Sequence, residues 1–182
     1  MQASHWIAAL IGLSPVAASA ANVLVNPGFE SGSVTGWTDV SAQWSATTAT
    51  PFAGTYCATT PNNFELRQTF VGVPVAFVTE LSLYTRHASN VTGASDIYIA
   101  ALYSDSTNSP LIYSPTPITS WTKVDFTSLL TPGKTLTGIT FYGNALNATY
   151  VDNVVVNAVP EPSLAAGFAC VLPLLRRRRR GA

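Results

Sequence analysis

The chain is expected to fold as an all-β sandwich or barrel with little helix. Three observations lead there. No long window between residues 21 and 158 shows helical periodicity, short runs rich in Val, Ile, Thr, Tyr and Phe recur throughout, and clusters of Gly, Pro, Asn and Ser separate them. In chain order, strands are predicted near residues 22–25, 44–47, 54–59, 65–71, 77–87, 96–103, 111–114, 121–127, 137–142 and 150–156. The breakers that bound them include Asn26-Pro27-Gly28, Thr60-Pro61-Asn62-Asn63 and Thr131-Pro132-Gly133, residues that favour turns and resist a ladder. Alternation then assigns faces. Leu81 and Leu83 point one way while Ser82, Tyr84 and Arg86 point the other, and Ile97, Ile99 and Ala101 go inward with Tyr98 outward. Thr140 and Tyr142 likewise stand opposite Ile139 and Phe141. A slip of one residue in register would invert each assignment.

Both ends read as processing segments. Residues 1–20 carry an apolar stretch that closes on the small-residue pattern Ala18-Ser19-Ala20, so a signal peptide cleaved after Ala20 is expected, although the first residues contain no Lys or Arg. The other end runs Val159-Pro160-Glu161-Pro162, then a largely apolar stretch from Ser163 to Leu175 broken by Pro173, then Arg176, Arg177, Arg178, Arg179 and Arg180. A membrane-crossing helix takes about 20 apolar residues, so this stretch is a weak anchor by length alone. The arginines beyond it would stay on the cytoplasmic side and leave the preceding domain outside. Pro-Glu-Pro, a short apolar run and a terminal Arg block resemble the PEP-CTERM sorting signal. The resemblance implies an exported bacterial protein whose residues 159–182 form a short hydrophobic helix with an Arg tail. That tail would insert transiently in the inner membrane and be processed by an exosortase-type membrane enzyme.

With the ends set aside, residues 21–158 form one domain, long enough to bury a self-sufficient core. The chain is formally neutral. Over residues 21–162, however, Arg67, Arg86, Lys123 and Lys134 face all nine acidic residues, which leaves a net charge of −5. An acidic domain argues against nucleic acid as partner. Cys57 and Cys170 are the two cysteines, one in the domain and one in the tail, so no disulfide within the domain is expected. Cys57 is read as a small buried thiol.

Asn26-Pro27-Gly28-Phe29-Glu30-Ser31-Gly32 followed by Gly36-Trp37 resembles the opening of the galactose-binding-like jelly rolls that include many carbohydrate-binding modules. Pro51 to Tyr56, Leu66 to Phe70, Trp121 to Phe126 and the closing Tyr150-Val151-Asp152-Asn153-Val154-Val155-Val156 extend the likeness over nearly the whole domain. The fold it implies is a jelly-roll β-sandwich of two antiparallel sheets. It also implies a structural Ca2+ at Glu30 and Asp152, where relatives hold an acidic residue after the first strand and one in the last. Two carboxylates alone do not define such a site, and a metal-free role as hydrogen-bond acceptors between loops stays open beside it.

A pyranose is recognised by an aromatic plate against its apolar face and by polar groups around its hydroxyls. Tyr84, Arg86 and Tyr98 are the candidate ligand-binding residues, expected on one outward surface, with Tyr142 joining them. Trp37, Trp44 and Trp121 are set lower, because aromatic residues in small sandwiches mostly fill the core. No Gly-x-Ser-x-Gly elbow, zinc motif or phosphate-cradling loop appears, and scattered acids do not make a glycosidase, so no enzyme activity is expected. Asn90-Val91-Thr92 and Asn147-Ala148-Thr149 match the glycosylation acceptor pattern and are read as exposed turn asparagines. The functional expectation is a noncatalytic envelope or extracellular-matrix module that engages exopolysaccharide. The alternative is a structural or adhesive surface protein with no sugar site.

Overall fold

A computed structural model of the protein describes residues 19–89, 97–110, 119–143 and 147–160. Ten strands and two 3-10 turns make up the regular structure among them. The strands are β1 (Ala21–Asn22), β2 (Thr38–Asp39), β3 (Ser45–Thr47), β4 (Cys57–Thr60), β5 (Glu65–Pro74), β6 (Val78–His87), β7 (Tyr98–Tyr103), β8 (Thr122–Asp125), β9 (Thr135–Tyr142) and β10 (Thr149–Ala158). The 3-10 turns are Val75–Phe77 and Thr127–Leu129. The expected strand near 111–114 lies outside the described residues, as do most of the signal segment and the tail beyond Pro160, with its helix, Glu161, Pro162 and Arg176 to Arg180. β2 was not anticipated from the sequence.

The strands form two antiparallel sheets. The first has the order β3-β4-β10-β6-β8 with β1 added on β10, and the second β2-β5-β9-β7. This is the jelly-roll sandwich that the sequence led us to expect. The inward faces follow the alternation. Leu81, Leu83, Ile97, Ile99, Ala101, Ile139 and Phe141 are all buried in one core cluster with Leu66, Val151, Val154 and Val156.

Within β10 a bulge changes the alternation after Asp152. Asp152 faces Tyr84 in register and Val155 faces Ser82, so one extra residue is accommodated, and Asn153 takes a left-handed φ of 46° to do it. The bulge lets Val151, Val154 and Val156 all enter the core while Asp152 emerges on the outer face.

The opening motif works as a staple. The Asn26 side chain donates to the carbonyls of Ser33 and Thr35 and accepts from the Ser31 N–H. The loop it closes drops Phe29 into the core with no exposed surface. Phe29 lies 5.6 Å from Trp37, and Phe141 lies 5.2 Å from Trp37 and 5.4 Å from Trp44. Both indole N–H groups are satisfied, Trp37 by the Asn26 carbonyl and Trp44 by that of Phe64, so these tryptophans belong to the core and not to a ligand surface.

Gln68, buried in β5, joins the two layers. Its side chain accepts from the Val25 N–H at 2.7 Å and donates to the Val25 carbonyl at 2.9 Å, linking the chain just after β1 to the second sheet. Asn147 corrects the exposed-turn expectation: it is buried, and its amide donates to the Ser89 carbonyl, which ties it to the chain just past the end of β6. Asn90 lies outside the described residues.

Candidate functional site

The four aromatic and basic candidates do not share one surface. Tyr84 and Arg86 stand on β6, on the outer face of the first sheet. Tyr98 on β7 and Tyr142 on β9 stand on the outer face of the second sheet, on the opposite side of the sandwich. Alternation along a strand separates inside from outside, but it does not say to which sheet an outside belongs.

On the first sheet, Tyr84 and Arg86 are taken up by the chain itself. Residues 48–56 cross this face, and Phe52 stacks on Tyr84 with ring centroids 3.5 Å apart and planes 14° from parallel. The edge of Trp121 closes on Phe52 at 6.0 Å, and its indole N–H donates to the Thr50 carbonyl. Arg86 donates to the Thr50 hydroxyl at 3.0 Å and lies over the Tyr150 ring. Phe52 thus occupies the aromatic plate that a sugar ring would need.

The two carboxylates hold the same crossing from its far end. Asp152 is 1% exposed; its Oδ2 accepts from the amides of Phe52 and Ala53, and its Oδ1 from that of Asn153. Glu30 accepts from the amides of Thr55 and Tyr56. Gly54 sits between these contacts at a φ of 65°, and a Cβ there would lie 2.5 Å from the Glu30 carboxylate, so no other residue fits. Burial is the main reason the Asp152 carboxyl is held above the ordinary carboxylate range. Its three amide bonds pull it down, and the charge of Glu30 adds to the rise.

Beneath this crossing lies Cys57, fully buried, with its thiol against the Ala49 carbonyl. Burial first and the Asp152 charge second push its pKa up to about 11, so the thiol stays protonated at neutral pH.

Against a calcium ion, the Glu30 and Asp152 pair fits in charge but brings only two of the six to eight oxygen ligands that such an ion takes. Several of its lone pairs are already engaged by amides. Among the described residues no group of three or more His, Cys, Asp or Glu gathers to hold a metal.

The second sheet presents a different surface. Tyr142 lies opposite Glu65 of β5 on one side and Tyr98 of β7 on the other, so Glu65, Tyr142 and Tyr98 form one transverse row on the outer face. The next row along the strands is Arg67, Thr140 and Ala100. Thr140 donates to Glu65 at 3.0 Å, and the Arg67 guanidinium lies 3.9 Å from the same carboxylate. Burial, then the Glu65 charge and a hydrogen bond with it, hold the Tyr142 phenol above its ordinary range, so its hydroxyl remains a donor.

Glu65 and Arg67 were missed in the sequence, although Glu65-Leu66-Arg67-Gln68 carries the signal. With Leu66 and Gln68 inward, the acid and the base must both face out. The arrangement is a patch of half-buried Glu65, Arg67, Tyr98 and Tyr142 around the buried Thr140 and Ala100.

No protein-family model matches the chain, and no curated protein matches it in sequence. Among solved structures, the fold is similar to a family 61 carbohydrate-binding module determined with β-1,4-galactotriose, at TM-score 0.53 and 18% identity, covering 77% of this chain and 99% of that one. It is similar to a family 16 carbohydrate-binding module at TM-score 0.56 and 18% identity, over 75% and 99% of the two chains. A xylan-binding domain of family 22 from Paenibacillus barcinonensis matches at TM-score 0.51 and 16% identity, over 79% and 97%. Two further similar chains, a bacteriophage CBA120 tailspike enzymatically active domain and an arabinofuranosidase, are matched over only 21% and 27% of their lengths. At these identities the likeness is one of fold, and that fold is the jelly roll of carbohydrate-binding modules.

Proposed function

We propose that the protein is a noncatalytic polysaccharide-binding module whose ligand lies along the outer face of the second sheet. The observation that carries this reading is the register that sets Glu65, Tyr142 and Tyr98 side by side, with Arg67 in the adjoining row. Tyr98 and Tyr142 supply plates for the apolar faces of successive sugar rings. Glu65 accepts from hydroxyls, while Arg67 donates to them. The ligand class is an exopolysaccharide met outside the cell, in keeping with an expected signal peptide at residues 1–20 and a tail, residues 159–182, that resembles an exosortase substrate. Tyr84 and Arg86 are assigned to holding the 48–56 crossing.

Affinity electrophoresis through a panel of polysaccharides, preceded by a glycan array, tests the reading. The protein is expected to be retarded by at least one glycan, and Tyr98→Ala with Tyr142→Ala to weaken binding about thirtyfold, the effect of removing about 2 kcal/mol of aromatic anchor. Tyr84→Ala is expected to keep the affinity. If no glycan is retained, or if Tyr84→Ala alone abolishes retention, the platform is misassigned, and in the first case an adhesive surface role without a sugar site is left.

We also propose a structural Ca2+ beside Glu30 and Asp152, a matter of stability and not of sugar contact. Its support is the placement of two like charges near one another, with Glu30 raising the Asp152 pKa, and Gly28 between them: a Cβ there would lie 3.8 Å from both Asp152 Oδ1 and Glu30 Cγ. A divalent cation reverses that repulsion. Isothermal titration with Ca2+ is expected to give heat and a higher melting temperature. Neither change leaves the pair as amide acceptors alone.

A further inference from the structure

The corner of the sandwich where β1 meets the end of β10 holds a groove of about 230 Å3 that no feature of the sugar platform uses. Its walls are mostly apolar: Val23, Val73, Pro74, Phe77, Ala158 and Val159. Ala21 of β1 pairs with Ala158 of β10, and the Val159 N–H donates to the Phe77 carbonyl, so the beginning and the end of the domain are fixed side by side there. Val71, 89% exposed, is the chain neighbour of the lining residue Gly72.

We propose that this groove is the docking site of the chain's own apolar segment, Ser163 to Leu175. Three facts select that occupant. The chain leaves the domain through the groove itself, because Pro160 is part of its wall. Leu164 follows four residues later, a reach of at most about 14 Å, and Phe168 four residues beyond that in the sequence. A segment tethered this closely has an effective concentration of the order of millimolar, so weak docking suffices where a separate partner would need real affinity. The groove is far larger than the about 30 Å3 share of one water molecule, and filling it with Leu and Phe side chains removes apolar surface on both partners at roughly 25 cal/mol per Å2. Docking covers a run of residues that is too short to be a firm anchor and too apolar to stay in water. Membrane entry of the tail is then preceded by its release from the groove. The proposal does not depend on the sugar platform.

The test places a photo-crosslinking residue beside the lining residue Gly72 in the full chain, Val71→p-benzoylphenylalanine, in detergent-free buffer, with the linked peptides mapped by mass spectrometry. Val71 is exposed, so the fold tolerates the change. The expected product is an intramolecular link to residues 163–175, its yield lowered about tenfold by Phe168→Asp, equivalent to about 1.4 kcal/mol of docking. Links to residues 1–20, links between two copies, or no link at all would each overturn the proposal, as would a link indifferent to Phe168→Asp.

Discussion

Replacing Asp152 with alanine is expected to open the crossing of residues 48–56 and to make Cys57 reactive. The carboxylate is the acceptor for the amides of Phe52, Ala53 and Asn153. A hydrogen bond to a charged group is worth about 1.5–3 kcal/mol, yet the raised pKa of Asp152 says that burial costs the ionised form more than the amides return. The loss in global stability is therefore expected to be modest, about 2 kcal/mol, and the local effect large. Without the tie, Phe52 can lift from Tyr84 and water can reach the thiol beneath. Maleimide labelling of the Cys57 peptide, near zero in the native protein, is expected to become substantial in Asp152→Ala. Asp152→Asn should behave similarly, because its amide nitrogen cannot accept from the N–H groups that the lost oxygen served. Labelling that stays at the native level would show that Glu30, Arg86 and Trp121 hold the crossing unaided.

The same group sets a pH dependence with a definite sign. Its folded pKa lies above the unfolded carboxylate value of about 3.9, so the folded state holds the proton more tightly. Its contribution to stability is greatest below that value and is lost as pH rises through the folded pKa. Asp125 and Glu80 run the other way, since hydrogen bonds from Thr127 and from Lys123 lower their pKa values; their contribution is present at neutrality and lost in acid. Both lie near the surface, where solvent screening keeps such terms small. The stability advantage of the native chain over Asp152→Ala, measured by thermal melts, is thus expected to be larger in mildly acidic buffer than at neutrality.

Much of this fold could be read in the sequence because each reading was local. Asn26-Pro27-Gly28 marks a turn, and alternation placed Leu81, Ile99 and Phe141 in the core and Tyr98 and Tyr142 outside it. What failed was long-range. Tyr84 and Tyr98 are both outward, but strand pairing sends one to the face shared with Lys123 and the other to the face shared with Tyr142. No periodicity within a strand carries that information. Nor does a loop announce what it covers. Phe52 lies between a proline and an alanine in an irregular stretch, and only the tertiary structure shows it stacked on Tyr84. Asn147 was misread for a related reason: its composition signal is that of a turn, while its burial comes from Ser89, 58 residues away. Glu65 and Arg67 are legible in principle, since their neighbours Leu66 and Gln68 within the same strand are buried.

The core aromatic cluster carries the largest stability prediction. Phe141 is fully buried, lies in register between Leu66 and Ile99, and meets Trp44 edge to face at 78° and Trp37 at 58°. Phe141→Ala removes the ring on which both tryptophans rest, and the rigid sheet around it cannot collapse to fill the space. The expected cost is about 3–5 kcal/mol, a large part of the 5–15 kcal/mol that a domain of this kind has. Denaturant unfolding followed by tryptophan fluorescence measures it directly, because Trp37 and Trp44 report the same cluster. Phe141→Leu keeps most of the volume and is expected to cost less than half as much. Tyr142 is the neighbouring residue on β9 but faces the other way, so the folded fraction of either variant is expected to bind glycan with native affinity. A variant that stayed folded and yet lost the ligand would mean that the platform depends on the packing beneath it, and that Tyr98 and Tyr142 are held in place from the core and not by the register of β5, β9 and β7.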